Sequence, residues 1–308
     1  METLRQNIDL PFSLPHYKQL ICQLDMERAT LWCYMNANPR PCFNQTILAE
    51  IRDLQQRLTT HLSNPQNTDQ IRYIVYASAK PGVFNLGGDV ELFARLITER
   101  DRDGLSAYGR TCVDAVYTAT VSCSIPTLTT IALVQGSALG GGLETALACN
   151  TFIAEESAQM GFPEILFNLF PGMGAMSFLS RRIGPIPAER LIQSGDMHSG
   201  RELFEMGVID KLAADGEGVH AVHEYIRQHS RFANSRLAIR QARERVAPIS
   251  YEELLDIVDI WVDTAMCLTP RDLRTMRRIV SAQSRLKPAE ARPAPVQDHE
   301  NVRMLVAN

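Results

Sequence analysis

Apolar positions along the chain follow two periods. Ile47, Leu48, Ile51, Leu54 and Leu58 recur at helical spacing and lay one apolar stripe on a polar cylinder, which predicts a helix packed on a sheet. Leu105, Tyr108, Cys112, Val116 and Ala119 mark a second, longer amphipathic helix. Short apolar runs from Tyr73 to Ala77, Thr129 to Gln135 and Thr151 to Ala154 read as buried strands, and Leu20 to Met35 as two more. A further helix covers Leu143 to Ala148. Strands and helices alternate, which implies crossover units and an α/β fold.

Beyond Gly184 the pattern becomes mostly helical. Ser250 with Glu253 fits a capping box ahead of Leu254, Leu255, Val258, Trp261, Val262 and Ala265. Thr269 followed by Pro270 opens the next helix, because proline at the first helical position has no N–H to waste. The expected organisation is a flexible N-terminus over 1–16, a core over 17–195, a mostly helical region over 196–286, and a tail over 287–308. That tail is rich in Pro, Ala and charge and is expected to lack a fixed conformation.

The 308 residues are 45% hydrophobic and 21% charged, enough to build a globular core without disulfides. A formal charge of −4, from 31 basic against 35 acidic residues, gives no pull toward nucleic acid. The cysteines, seven in all, are odd in number and scattered, and they read as reduced thiols of a cytoplasmic protein. No stretch approaches the roughly 18 apolar residues of a membrane helix. The N-terminus has no apolar leader segment, so a soluble, cytoplasmic protein is expected.

Three stretches carry the candidate chemistry. Gly136-Ser-Ala-Leu-Gly-Gly-Gly-Leu-Glu144 follows a buried strand and opens a helix, so Gly140, Gly141 and Gly142 expose amide N–H groups to an anionic oxygen. The arrangement serves a phosphate or a tight turn equally well, but it has no GxGxxG fingerprint and no Walker lysine. In Val83-Phe-Asn-Leu-Gly-Gly-Asp89, Gly87 and Gly88 free the backbone. If the two strands are neighbours, the Leu86 and Gly141 amides converge as an oxyanion hole. Asp89 is expected to cap the helix that follows. The third stretch, Met160 to Gly174, holds Glu164 in an apolar loop, where burial raises a carboxyl pKa toward neutrality. Glu155 and Glu156 read as solvated surface and Cys149 as core. His220 and His223 are spaced like a metal pair but lack a third ligand, so no metal site is expected.

Taken together and in this order, Val-Phe-Asn-Leu-Gly-Gly-Asp, Ala-Leu-Gly-Gly-Gly-Leu-Glu and Pro-Glu-Ile-Leu-Phe-Asn-Leu-Phe-Pro-Gly-Met-Gly-Ala resemble the crotonase superfamily, whose prototype is enoyl-CoA hydratase. The bulky loop after Glu164, with Ile260-Trp-Val-Asp-Thr-Ala-Met266 and the arginine-rich segment after it, is similar to RpfF-type synthases of diffusible signal factor (DSF) fatty acids. The resemblance implies a ClpP/crotonase-like spiral of ββα units with a C-terminal helical region. It implies an acyl thioester whose carbonyl oxygen sits between the Leu86 and Gly141 amides, in a backbone cradle that includes Gly87 and Gly140. It assigns proton abstraction at the alpha carbon to Glu164 and departure of the 3-hydroxyl to Glu144; from the sequence alone these roles are exchangeable. Leu169, Phe170, Met173, Met176 and Trp261 are the expected walls of a medium-chain acyl pocket, each equally readable as core.

No cofactor is implied beyond the substrate, a thioester on acyl carrier protein (ACP) or CoA. Implied partners are the carrier protein, contacted by Lys80, Arg181 and Arg182 unless these are ordinary surface, a cognate sensor kinase, and copies of the chain in a homo-trimer or hexamer. Competing expectations are a conventional enoyl-CoA hydratase/isomerase and a non-catalytic protein of the same fold.

Overall fold

The computed structural model describes residues 13–67, 70–283 and 302–304. In chain order the elements are β1 (Leu20–Asp25), β2 (Thr30–Met35), α1 (Gln45–Leu62), β3 (Tyr73–Ser78), β4 (Val83–Asn85), α2 (Val90–Thr98), α3 (Arg102–Thr120), β5 (Thr129–Val134), β6 (Ser137–Leu139), α4 (Gly141–Ala148), β7 (Thr151–Glu155) and β8 (Gln159–Gly161). Then follow α5 (Ala175–Ile183), α6 (Pro185–Ser194), β9 (Met197–Ser199), α7 (Gly200–Glu205), β10 (Lys211–Ala213), α8 (Gly218–Ser230), α9 (Ala233–Val246), α10 (Tyr251–Met266), α11 (Pro270–Gln283) and β11 (Val302–Met304). Among the described residues no helix is long and apolar enough to cross a membrane.

The longer strands form one sheet in the order β10-β7-β5-β3-β2-β1-β11, parallel from β10 to β2. Its central strands β2, β3, β5 and β7 are almost wholly buried because both faces are covered, and alternate side chains enter separate clusters. Leu31, Cys33, Ile74, Tyr76, Ala132 and Val134 join the main core with α1 and α3. Trp32, Tyr34, Val75, Ile131 and Leu133 face Ala221, Val222 and Ile226 of α8.

A second sheet, β4-β6-β8-β9, is built from three-residue strands, too short to give a periodic signal in the sequence. Each ββ step is alike: β3 leads to β4, β5 to β6 and β7 to β8. Three successive steps therefore deliver three chain segments side by side. That is the repeating spiral of ββα units.

Several helix starts are capped at atomic level, those expected at Asp89 and Thr269 among them. Asn44 accepts from the Thr46 and Ile47 N–H groups at the start of α1, and Asp89 accepts from Leu92 N–H at the start of α2. Thr269 and Asp272 cap α11 reciprocally. At α10 only half of the capping box forms: Ser250 accepts from Glu253 N–H, but the Glu253 carboxylate binds Arg181 at 2.7 Å instead.

Other expectations are corrected. Glu155 is 1% exposed, not solvated: it ends β7, where Gln135 Nε2 donates to it at 2.7 Å and the Gly218 N–H at the start of α8 at 3.2 Å. Leu14, placed in the flexible N-terminus, is buried in the core. Within the tail expected to be shapeless, Val302–Met304 pairs with β1 as an antiparallel edge strand. The remainder of that tail from 287 on, and residues 1–12, lie outside the described residues.

Candidate active site

The site forms where the strands of the second sheet run out. Register places Asn85 beside Ala138, and Leu139 beside Gly161. The segments that follow, Leu86 to Gly88, Gly140 to Gly142, and the 3-10 turn Pro163–Phe167 with Glu164, are therefore neighbours. Close approach explains the glycines. A Cβ on Gly142 would lie 2.2 Å from the Asn85 carbonyl oxygen, and one on Gly140 would lie 2.0 Å from Glu164 Oε1. Gly140 also holds φ at +49°, a left-handed value that other residues resist.

Glu144 stands in the first turn of α4 and is 1% exposed. Its Oε1 accepts from the Met173 N–H at 2.7 Å and the Ala175 N–H at 2.9 Å. Burial pushes its pKa up to about 7, opposed by those backbone donors. Glu164 is pushed further, to about 8, first by burial and then by the charge of Glu144. Its Oε2 is buried without a hydrogen-bond partner among the described residues. Of the two, Glu164 keeps its proton to the higher pH. Glu144, with its amide donors, is the better carboxylate and Glu164 the better acid.

Both carboxyls line one cavity of about 60 Å³, together with Leu86, Gly88, Gly140 and Gly141. The remaining walls are apolar: Phe93 from α2, Tyr108 and Cys112 from α3, Leu169 and Met173 from the loop, Trp261 from α10, and Ile279 and Val280 from α11. Pockets that enclose a drug-sized ligand span roughly 300–1,000 Å³, so a ligand of that size would enter only when these walls part. Phe93 locks them, standing edge-on to Trp261 at 5.1 Å and to Tyr108 at 5.2 Å.

Of the walls the sequence reading named, Leu169, Met173 and Trp261 line this cavity. Phe170 and Met176 are not among the lining residues; both are half-buried and pack against the core. It missed Phe93, Tyr108 and Cys112, although Tyr108 and Cys112 stand on the stripe it identified, because a helical stripe does not distinguish core from cavity. Arg181 and Arg182, expected at a carrier-protein rim unless ordinary surface, have partners within the chain. Arg181 binds Glu253 and the Pro248 carbonyl, and Arg182 binds Asp210 at 3.0 Å. Lys80 donates to Asn38 Oδ1 at 2.8 Å.

The two amides fare differently. Gly141 N–H belongs to the first turn of α4 and has no intrahelical acceptor. Leu86 N–H donates to the Pro41 carbonyl at 2.8 Å. An incoming oxygen reaches both donors only by displacing or sharing with Pro41, a competitor that the sequence reading did not foresee. Beside it, Asn85 Oδ1 accepts from Gly87 N–H at 2.8 Å and fixes the turn.

Residues 39–258 match the family described as enoyl-CoA hydratase/isomerase. A probable enoyl-CoA hydratase of Bacillus subtilis (strain 168) is 35% identical over 132 residues, covering 43% of this chain and 48% of that protein. The fatty acid oxidation complex subunit alpha of Idiomarina loihiensis is 31% identical over 172 residues, covering 55% of this chain and 22% of that protein. The chain thus spans about half or less of the length of these curated relatives. Among solved structures, an enoyl-CoA hydratase/isomerase from Xanthobacter autotrophicus Py2 aligns with a TM-score of 0.69 at 20% identity, over 89% of this chain and all of that one.

Proposed function

The chain belongs to the enoyl-CoA hydratase/isomerase family, and from that premise we propose that it interconverts 3-hydroxyacyl and 2-enoyl thioesters in the cavity between Glu144 and Glu164. The observation that carries this reading is the pair of buried carboxyls, both raised toward neutrality, in one apolar cavity walled by the N-terminal end of α4. Hydration starts with Glu164 protonated and Glu144 ionised, the order their surroundings favour. Glu144 takes a proton from water, the water oxygen adds to C3, and Glu164 delivers its proton to the alpha carbon. Dehydration is the reverse and starts from the other protonation order, with Glu164 as base and Glu144 as acid. In both directions the thioester oxygen carries negative charge midway, and Gly141 N–H meets it, joined by Leu86 N–H once Pro41 yields.

At finer grain, we infer the RpfF-like reaction. A medium-chain 3-hydroxyacyl group on acyl carrier protein is dehydrated to the cis-2-enoyl thioester and then hydrolysed in the same cleft, in the cytoplasm. Support comes from Leu169 and Met173 of the loop after Glu164 and from Trp261, which line the cavity. The same reading carries a trimeric or hexameric assembly and a regulatory contact with a sensor kinase. Supplying 3-hydroxydodecanoyl carrier protein tests it: free cis-2-dodecenoic acid is the expected product. Turnover confined to hydration of trans-2-enoyl-CoA would favour the conventional hydratase, and no turnover on either substrate a binding role.

A further inference from the structure

The other end of the first sheet carries a different chemistry. Arg72 and Tyr73 at the start of β3, Thr129 at the start of β5 and Thr151 at the start of β7 line an open cavity of about 770 Å³, closed on its other side by α9. Arg236, Arg240 and Arg243, at i, i+4 and i+7 of α9, line it opposite Arg72. Arg240 is committed to the fold: its Nη1 donates to the Leu128 carbonyl at 2.6 Å and to Asn150 Oδ1 at 3.2 Å, and Glu244 lies 3.7 Å from its Nε. Among the described residues no carboxylate pairs with Arg72, Arg236 or Arg243. Asp210, the acid in the lining, already binds Arg182 and the Phe152 N–H.

The resulting field is felt by His229, whose pKa falls to about 4 through burial and then through Arg236, Arg240 and Arg72. The first turn of α9 lines the same space, and its N-cap, Phe232, offers no side-chain acceptor to the free N–H groups. Guanidinium groups gathered without a counter-charge repel one another and favour an anion with several oxygens. A lone phosphate would leave most of the volume empty. Tyr225, stacked on His229 at 5.2 Å, and Phe232, 56% exposed with the Arg231 guanidinium 5.6 Å from its ring centre, supply the aromatic part of the lining.

We propose that this cavity binds a small molecule through a di- or triphosphate group, with a ring system such as a nucleotide base lying against the aromatic wall. The site is independent of the carboxyl cavity, so its test is independent of the reaction. Calorimetric titration of the full chain at physiological salt, with ATP, inorganic pyrophosphate and inorganic phosphate as probes, is expected to give saturable binding that weakens in that order. Arg72→Ala and Arg236→Ala each weaken ATP binding tenfold or more, and Arg236→Lys less. Those losses separate this cavity from any nucleotide portion of a thioester bound at the carboxyls, because Arg72 and Arg236 line this cavity and not that one. Arg240 is kept because it holds Leu128 and Asn150, and thermal melting confirms that each variant is folded. Absence of saturable ATP binding by the folded parent chain, or affinity unchanged in both alanine variants, overturns the proposal. Pyrophosphate binding as tightly as ATP overturns the role given to the aromatic wall.

Discussion

The two ends of the first sheet are built from the same strands and do opposite things with charge. Past the carboxyl ends, the chain doubles into three-residue strands and gathers two acids in about 60 Å³ walled by apolar rings. At the amino ends, about 770 Å³ stays open and is lined by four arginines. Enclosure is what makes the difference useful. Burial lifts both carboxyl pKa values into the range where a proton moves either way, whereas the arginines at the open end offer attraction to an anion. One end can run proton chemistry, and the other can bind.

The strongest way to break this contrast is to remove the acids. Glu164→Ala and Glu144→Ala are each expected to lower turnover by about 10²–10⁴-fold, while Arg72→Ala leaves it within about twofold at saturating substrate; product formation measured for the three variants decides. Next comes Gly140→Ala, whose methyl would meet Glu164 Oε1. It should cost about a hundredfold in kcat. Gly207→Ala, also at positive φ but with its nearest neighbour 3.8 Å away, should cost only about 1 kcal/mol of stability and no activity.

Trp261→Ala opens the cavity wall. Denaturant melts should show a loss of about 3–5 kcal/mol, and a chain-length series should show the optimum moving to longer acyl groups among the molecules that remain folded. The smallest effect concerns pH. Both carboxyl pKa values are raised on folding, so the stability tied to their neutral forms is complete below about pH 4.5 and is lost as pH rises through about 7 and 8. Glu164→Gln should therefore raise the melting temperature at pH 8 and leave it nearly unchanged at pH 4.5. An equal shift at both values would place the Glu164 carboxyl in water.

What the sequence made legible follows from period and length. Six-residue apolar strands and long striped helices announce themselves, and so did Gly140 to Gly142, Glu144 and Glu164, because glycine and buried acid are costly anywhere else. The second sheet was not legible, since three residues hold no period. Neither was the fate of Glu155, whose Gln135 partner lies twenty residues away, nor that of Phe170, whose bulk pointed to the cavity while its packing serves the core. The α9 arginines were unreadable as a group, because their fourth member, Arg72, joins them only through the fold.

The Pro41 carbonyl on the Leu86 amide has a consequence for selectivity. A tethered peptide oxygen never diffuses away, and it accepts a hydrogen bond better than a resting thioester does. An enolate oxygen, carrying nearly a full charge, outbids both. Under the proposed reaction the contact would act as a toll levied on idle occupancy and waived at the summit of the reaction, so that passing carbonyl compounds are shed while the reacting one is gripped.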